Sequence, residues 1–191
     1  MIGLGTSRRS LEYILSVAIG LSALPTAIAI PATAAATATS APTSRLGHET
    51  GLPIPRFVSL KSSNARMRIG PSTDYGTKFV YKAARLPLEI IEEYDNWRQV
   101  RDCDGVTGWM HRSLLSSRRT AIVGPWLREP AAINAQPGTR SDALALLSPR
   151  VLLGIKRCDG KWCTVQVFGH DLTGFVAQQA LCGVYANEAM D

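Results

Sequence analysis

The strongest constraint in this chain of 191 residues is a pattern that occurs twice. An Asp-Asn-Trp turn ends at Trp97 and is followed by Gly108, and an Asp-Gly-Lys-Trp turn ends at Trp162 and is followed by Gly174. The two tryptophans lie 65 residues apart and the two glycines 66. Because self-similarity at a fixed period indicates repeated structural units, we predict two modules of roughly 60 residues in tandem. Modules of this size bury only ~60% of their unfolded surface, so we expect the two to support each other.

The N-terminal segment has the organisation of an export signal. Two arginines precede an apolar run over residues 13–24, which Pro25 interrupts, and small residues follow. We therefore predict that residues 1–30 are a secretory signal peptide, cleaved after Ala29 or a few residues later. An uncleaved anchor and export by the twin-arginine route are the alternatives. The mature protein is then expected to be periplasmic or secreted, with no stable membrane span after cleavage.

Residues 31–55 form a distinct compositional segment. They are rich in Ala, Thr, Ser and Pro, and few of them could contribute to a core. Because such a segment buries too little apolar surface to offset its ordering entropy, we predict a flexible linker.

The first module, residues 56–119, is composed of short β-type segments. Apolar residues at 65, 67 and 69 alternate with Arg66 and Arg68, which predicts a half-buried strand with the apolar set inward and both arginines outward. Short strands separated by turns, with no long helical period, favour a small β-barrel. The other predicted elements are strands at 57–60, 77–81, 86–94, 97–101 and 108–110 and a single 3₁₀ turn within 111–115.

The second module, residues 120–188, repeats this plan. Only a few residues connect the modules, which keeps them close and limits their relative orientation. The whole mature chain is therefore predicted to be all-β. The recurring segments are 131–135, 144–147, 151–157, 162–168, 174–176 and 178–181.

Two of the four cysteines flank the second tryptophan turn. Cys158 and Cys163 can face each other across a hairpin at disulfide distance, and an oxidising compartment favours the bridge. Their counterparts in the first module are Glu93 and Arg98, an opposite-charge pair able to face across the same hairpin. We therefore interpret the repeated turn first as a structural hairpin.

The remaining cysteines are Cys103 and Cys182, one in each module. They could form a bridge between the modules or remain as two unpaired buried thiols. Spacing alone does not decide between these alternatives.

Charge is concentrated in the first module. Residues 56–120 carry 12 basic and 7 acidic side chains, whereas residues 121–191 carry six of each. This excess is too small and too scattered for a nucleic-acid partner, although it allows weak attraction to an anionic envelope polymer. His48, His111 and His170 lack zinc-site spacing with the cysteines, so we interpret them as solvated and expect neither a metal nor a cofactor.

Both modules resemble the bacterial SH3 (SH3b) domain family, and the tandem resembles the two-module exported proteins of proteobacteria. The resemblance is carried by the Arg-Ile-Gly-Pro-Ser run at 68–72, the two tryptophan turns, the Gly-Trp pair at 108–109 and the Leu pair at 114–115. It covers about residues 56–188. It implies two tandem SH3-like β-barrels forming a non-catalytic envelope module that binds peptidoglycan or a peptide or protein partner.

This chain departs from the family pattern at several positions. Arg66 replaces the usual asparagine, Asn134 and Gln136 replace the Arg and Gly of the first module, Phe175 replaces a tryptophan, and Cys182 stands at an aromatic position. These departures predict that the first module is the better preserved binding surface.

The candidate ligand-binding residues are therefore basic and aromatic side chains of the first module. Tryptophan in so small a barrel is also a common core residue, so that alternative stays open for both tryptophans. The candidates are Arg66, Arg68, Tyr75, Tyr94, Trp97 and Trp109.

The sequence allows two other functions. The protein could be a structural partner that uses a sheet edge in an envelope assembly. The run from Asp102 through Cys103 to Gly105 also resembles the nucleophile motif of cell-wall cysteine peptidases. The repeat register places that run at an inter-strand turn, and the rest of the chain is too short for a peptidase fold, so we expect no catalytic residue.

Overall fold

The computed structural model describes residues 44–191, whose regular secondary structure consists of β-strands and two short 3₁₀ turns. The predicted all-β class is confirmed. The predicted signal peptide and the linker residues before 44 lie outside the described residues.

The first module is a curled antiparallel sheet of seven strands, in the order β5-β4-β8-β7-β6-β3-β9. A 3₁₀ turn over Arg112–Leu114 connects the last two strands in sequence. The strands of this sheet are β3 (Arg56–Leu60), β4 (Ala65–Arg68), β5 (Thr77–Tyr81), β6 (Pro87–Tyr94), β7 (Trp97–Arg101), β8 (Thr107–His111) and β9 (Leu115–Ser116).

The second sheet repeats this order strand for strand, as β12-β11-β15-β14-β13-β10-β16, with β17 paired to β13. Its 3₁₀ turn spans Gln178–Ala180. The strands are β10 (Thr120–Val123), β11 (Ala131–Asn134), β12 (Ala143–Leu147), β13 (Leu152–Asp159), β14 (Trp162–Val167), β15 (Thr173–Ala177), β16 (Leu181–Cys182) and β17 (Ala189–Met190). The repeat seen in sequence is therefore a repeat of sheet topology.

Each sheet encloses its own apolar core. Met67, Val100 and Met110 are fully buried in the first, and Ile133 and Val165 in the second. Along β7 and β8 every second residue is buried, since successive side chains of a strand point to opposite faces.

The repeated glycine has a packing role. A Cβ at Gly108 would lie 2.4 Å from Cγ of Met67 and 2.8 Å from the carbonyl oxygen of Arg68. At Gly174 it would lie 2.7 Å from the carbonyl oxygen of Asn134. In both modules the glycine lets two strands approach each other more closely than any side chain would permit.

The tryptophan hairpin has the predicted register. Cys158 pairs with Cys163 and Glu93 with Arg98 in the two equivalent ladders. The Cys158–Cys163 disulfide is present, with a Cα–Cα distance of 4.1 Å. The predicted exchange of a disulfide in one module for a charge pair in the other is confirmed.

The modules contact each other through covalent and polar links. Cys103 and Cys182 form a disulfide with a Cα–Cα distance of 6.0 Å, which resolves the alternative left open by the sequence in favour of a bridge. Arg150 of the second module forms a bidentate ion pair with Asp104 of the first, at 2.7 and 2.9 Å. The Tyr185 hydroxyl donates to the Glu89 carboxylate at 2.9 Å.

The predicted flexible linker of residues 31–55 is wrong for its C-terminal part. Strands β1 (Arg45–Leu46) and β2 (Pro53–Ile54) form a hairpin, and Ile54 is fully buried in the first core. Composition missed this order because the hairpin is fixed by the Glu93 carboxylate, which lies more than 40 residues away in the chain.

The prediction that Ile69 points inward is also wrong. Ile69 is 63% exposed, because β4 ends at Arg68 after a register shift between Met67 and Arg68. The bulge breaks the alternation that placed Ile69 inward.

Candidate functional site

The candidate site lies on the outer face of β4, β7 and β8. Trp97 pairs with His111 across these strands, and their rings meet edge to face with centroids 5.5 Å apart. Arg68 pairs with Trp109 in the neighbouring ladder. Directly opposed residues of a ladder project to the same face, so the register places these four side chains on one surface.

A groove of about 260 Å³ opens on this surface. It brings together three of the six candidate residues predicted from sequence, Arg66, Arg68 and Trp97. We call it the aromatic groove. Its lining residues are Asn64, Arg66, Arg68, Thr73, Trp97, His111, Ser113 and Leu114.

The other three candidates do not line this groove. Trp109 is half-buried on the same face, directly opposite Arg68. Tyr75 is 47% exposed in the loop after β4, where its carbonyl oxygen accepts from Nη1 of Arg68 at 2.5 Å. Tyr94 is 60% exposed and lies opposite Trp97 across the hairpin.

Sequence reasoning missed His111 as a groove residue. The histidine caps the 3₁₀ turn, since its Nδ1 accepts the backbone N–H of Ser113 at 3.3 Å, and its ring leans on Trp97. The available signal was its position two residues after Trp109, which places both side chains on one face of a strand. The interpretation of His111 as a solvated histidine misses this ring contact.

The second module has a groove at the repeat-equivalent position, with a volume of about 630 Å³. Trp162 and Thr139 line it where the first module has Trp97 and Thr73. The cationic positions are changed, because Ala132, Asn134 and Ala177 stand where the first module has Arg66, Arg68 and His111. The groove of the second module is thus larger and mostly apolar. The aromatic groove of the first module carries the basic side chains Arg66 and Arg68.

A buried carboxylate lies beside the tryptophan turn of the first module. Glu93 accepts the backbone N–H groups of Glu49 and Thr50 at 3.0 and 2.9 Å and the Thr50 hydroxyl at 2.8 Å. Nη2 of Arg56 lies 2.8 Å and Nε of Arg98 3.5 Å from its Oε1. Glu93 therefore connects the N-terminal hairpin, β3 and β7 around the tryptophan turn.

The titration of Glu93 reflects these contacts. Burial alone would raise the pKa of its carboxyl group. Hydrogen bonds from Arg56 and Thr50 outweigh burial and lower the pKa to about 2. The carboxylate is therefore charged throughout the physiological range.

Cys103, the candidate nucleophile of the hydrolase alternative, is part of a disulfide. Cys103 is bonded to Cys182 and is not a thiolate in this structure. A cysteine nucleophile must be a free thiolate, so the disulfide-bonded form cannot perform that attack.

The described part of the chain, residues 44–191, contains no helix long and apolar enough to cross a membrane.

Comparison with known proteins identifies the first module. Residues 61–117 match the family model described as bacterial SH3 domain, a span that includes the basic and aromatic lining of the groove. No curated protein matches the chain. Among solved structures, the chain is similar to NlpC2 from Trichomonas vaginalis at a TM-score of 0.29 and 13% identity, over 67% of this chain and 48% of that one. The chain thus spans about half the length of that protein.

Proposed function

We propose that this chain, whose first module is a bacterial SH3 domain, is a non-catalytic binding protein of the cell envelope that holds an extended ligand in the aromatic groove. The observation that carries the proposal is the meeting of Arg66, Arg68, Trp97 and His111 in one open groove within the matched span. The ligand we propose is peptidoglycan or a peptide of the envelope.

The chemistry of the groove supports a ligand with apolar stretches and acidic groups. The Trp97 and His111 rings offer flat, partly apolar surfaces to an extended chain. Arg66 is exposed, so its guanidinium can reach a carboxylate of the ligand, and a charge-assisted bond of that kind is stronger than a neutral one. Arg68 is partly held by the Tyr75 carbonyl and is better suited to shape the groove.

The envelope location is part of the proposal. Two disulfides join all four cysteines, and disulfides persist in oxidising compartments outside the cytosol. The signal-like organisation of residues 1–30 supports the same location.

A structural role in an envelope assembly is the second candidate. Strand β12 lies at the end of its sheet, and it exposes Leu144 and Leu146, which are 48% and 68% accessible. An exposed apolar edge strand is a template for pairing with another chain. This feature favours a protein partner for the second module.

Co-sedimentation with purified peptidoglycan tests the first candidate. We expect wild-type protein to sediment with the polymer at low salt and Arg66→Ala to sediment several-fold less, since about one charge-assisted contact is lost. Arg140→Ala is the matched control, because Arg140 is an exposed arginine of the second module. Failure of the wild-type protein to sediment at low salt would exclude peptidoglycan as the ligand.

A further inference from the structure

A second cavity of the first module lies beside the aromatic groove and shares His111 and Ser113 with it. Its volume is about 420 Å³. Four cationic side chains line it, and hydroxyl groups of serine and threonine complete its polar wall. We call it the basic pocket, and its cations are Arg56, Lys61, Arg98 and Arg112.

Strand pairing assembles the basic pocket. Ser59 pairs with Ser116 where β3 meets β9, and the backbone N–H of Lys61 donates to the carbonyl oxygen of Leu114 at 2.8 Å. These bonds hold the end of β3 against the 3₁₀ turn that begins at Arg112. The N-terminal hairpin supplies Thr50 on the remaining side.

The cations of the basic pocket are only partly neutralised. Glu93 compensates Arg56 and Arg98, at 2.8 and 3.5 Å. Lys61 and Arg112 form no ion pair within residues 44–191. The Arg112 guanidinium is nevertheless oriented, because its Nε donates to Oδ1 of Asn96 at 2.7 Å. The pocket therefore presents two uncompensated cations, one of them fixed in direction.

In the second module, the C-terminal segment of the chain contacts the 3₁₀ turn that corresponds to the one at the basic pocket. Gln178 begins the second 3₁₀ turn, as Arg112 begins the first. Its Nε2 donates to the carbonyl oxygens of Tyr185 and Glu188, at 2.6 and 3.0 Å. The chain's own C-terminal segment thus supplies main-chain acceptors to the turn.

The same segment also supplies a carboxylate. Arg119 immediately precedes β10 and is the register counterpart of Arg56, and its guanidinium binds the Glu188 carboxylate at 2.7 and 3.0 Å. In the first module the chain after β9 runs directly through Ser117 into the second module. Within residues 44–191, the N-terminal hairpin contributes Thr50 and Leu52 to one side of the basic pocket, and no described carboxylate pairs with Lys61 or Arg112.

We infer that the basic pocket binds an acidic peptide segment of a partner, whose main chain meets the 3₁₀ turn as residues 185–188 meet Gln178 in the second module. The partner's carboxylate lies between Lys61 and Arg112, and its main-chain carbonyls face the 3₁₀ turn. Charge complementarity selects acid over base at such a site. The inference goes beyond the proposed function, because it requires no ligand in the aromatic groove.

The test uses a synthetic acetylated and amidated peptide, Val-Tyr-Ala-Asn-Glu-Ala, which copies the segment that meets the 3₁₀ turn of the second module. Amide shifts of the isotope-labelled full chain are followed by NMR at low salt. We expect saturable shifts at Lys61, Ser113 and Ser116. The counterpart peptide with glutamine in place of glutamate should bind about tenfold more weakly, as expected on losing a charged partner.

Variants assign the binding to the basic pocket. Arg112→Gln and Lys61→Gln should each weaken the peptide by about fivefold or more. Arg118→Gln is the matched control, because Arg118 is an exposed arginine just outside the pocket lining. Arg66→Ala should leave the peptide unaffected, which separates this site from the aromatic groove. Lys61→Gln, on an exposed side chain, keeps the test valid if Arg112→Gln does not fold.

Three results would overturn the inference. The first is equal affinity for the glutamate and glutamine peptides. The second is wild-type affinity in both Arg112→Gln and Lys61→Gln. The third is an equally strong response at the same amides to inorganic phosphate, which would show a simple ion site without peptide recognition.

Discussion

The Glu93 carboxylate lies 3.5 Å from Nε of Arg98, at the hairpin position where the second module has the Cys158–Cys163 disulfide. The two modules therefore stabilise the same turn by different interactions, an ion pair in the first and a disulfide in the second. In the first module, Glu93 also links the turn to Arg56 and to the N-terminal hairpin.

Glu93→Gln should destabilise the protein. The substitution leaves the Arg56 and Arg98 guanidiniums without their buried counter-charge. Breaking a buried ion pair from one side costs about 3 kcal/mol. Urea denaturation measures the free energy of unfolding.

Glu92→Gln is the matched control for this substitution. The Glu92 side chain is 40% exposed and pairs with Arg45, which is 57% exposed. An exposed pair of this kind contributes under about 1 kcal/mol. Equal losses of stability in the two variants would contradict the role assigned to Glu93.

The stability of the protein should fall in acid because of Glu93. Its folded pKa is about 2, against an ordinary value of 4.5. A carboxyl group with a lowered folded pKa contributes stability above its unfolded pKa and loses that contribution as the pH falls toward the folded value. The stability difference between wild type and Glu93→Gln should therefore shrink by about 3 kcal/mol from pH 4.5 to pH 2. A pH-independent difference would contradict the assignment.

The disulfide between the modules should contribute more stability than the hairpin disulfide. Cys103 and Cys182 close a separation of 79 residues, and Cys158 and Cys163 one of 5. In the chain-entropy model the two loops correspond to about 4.5 and about 2 kcal/mol. Denaturation of Cys103→Ala/Cys182→Ala and Cys158→Ala/Cys163→Ala double variants compares them. The reverse order of stabilities would show that loop closure is not the dominant contribution.

Gly108→Ala should destabilise the first module. The new Cβ would meet the Arg68 carbonyl oxygen at 2.8 Å, so backbone must shift at the strand that carries the aromatic groove. Overpacking of this kind costs about 1–3 kcal/mol. Gly76→Ala is the control, because a Cβ at Gly76 meets no atom within 4 Å. Thermal unfolding of the two variants should separate them clearly, and matching midpoints would refute the close-packing role.

Local patterns in the sequence predicted the elements that local interactions determine. The tryptophan turn set the hairpin register, and the repeat offset then aligned Glu93 and Arg98 with the two cysteines correctly. The β-type run at 97–101 became strand β7 with the predicted bounds. Turn chemistry and alternation act over a few residues, so they can be recognised without the tertiary structure.

Features that depend on distant contacts could not be predicted in this way. The order of the hairpin at residues 45–54 depends on Glu93, and no composition rule anticipates a carboxylate so far along the chain. The sequence places His111 on the same strand face as Trp109, but its contact with Trp97 depends on the register between β7 and β8. The basic pocket likewise requires β3 to meet β9, a pairing between the two ends of the module.

The most direct test of the proposed function is amide and indole NMR of the full chain titrated with soluble peptidoglycan fragments. We predict saturable shifts at Arg66, His111 and the Trp97 indole, reduced several-fold in Arg66→Ala and unchanged in Arg140→Ala. Shifts confined to the second module's groove around Trp162, or no shifts at any accessible concentration, would contradict the assignment of ligand binding to the first module.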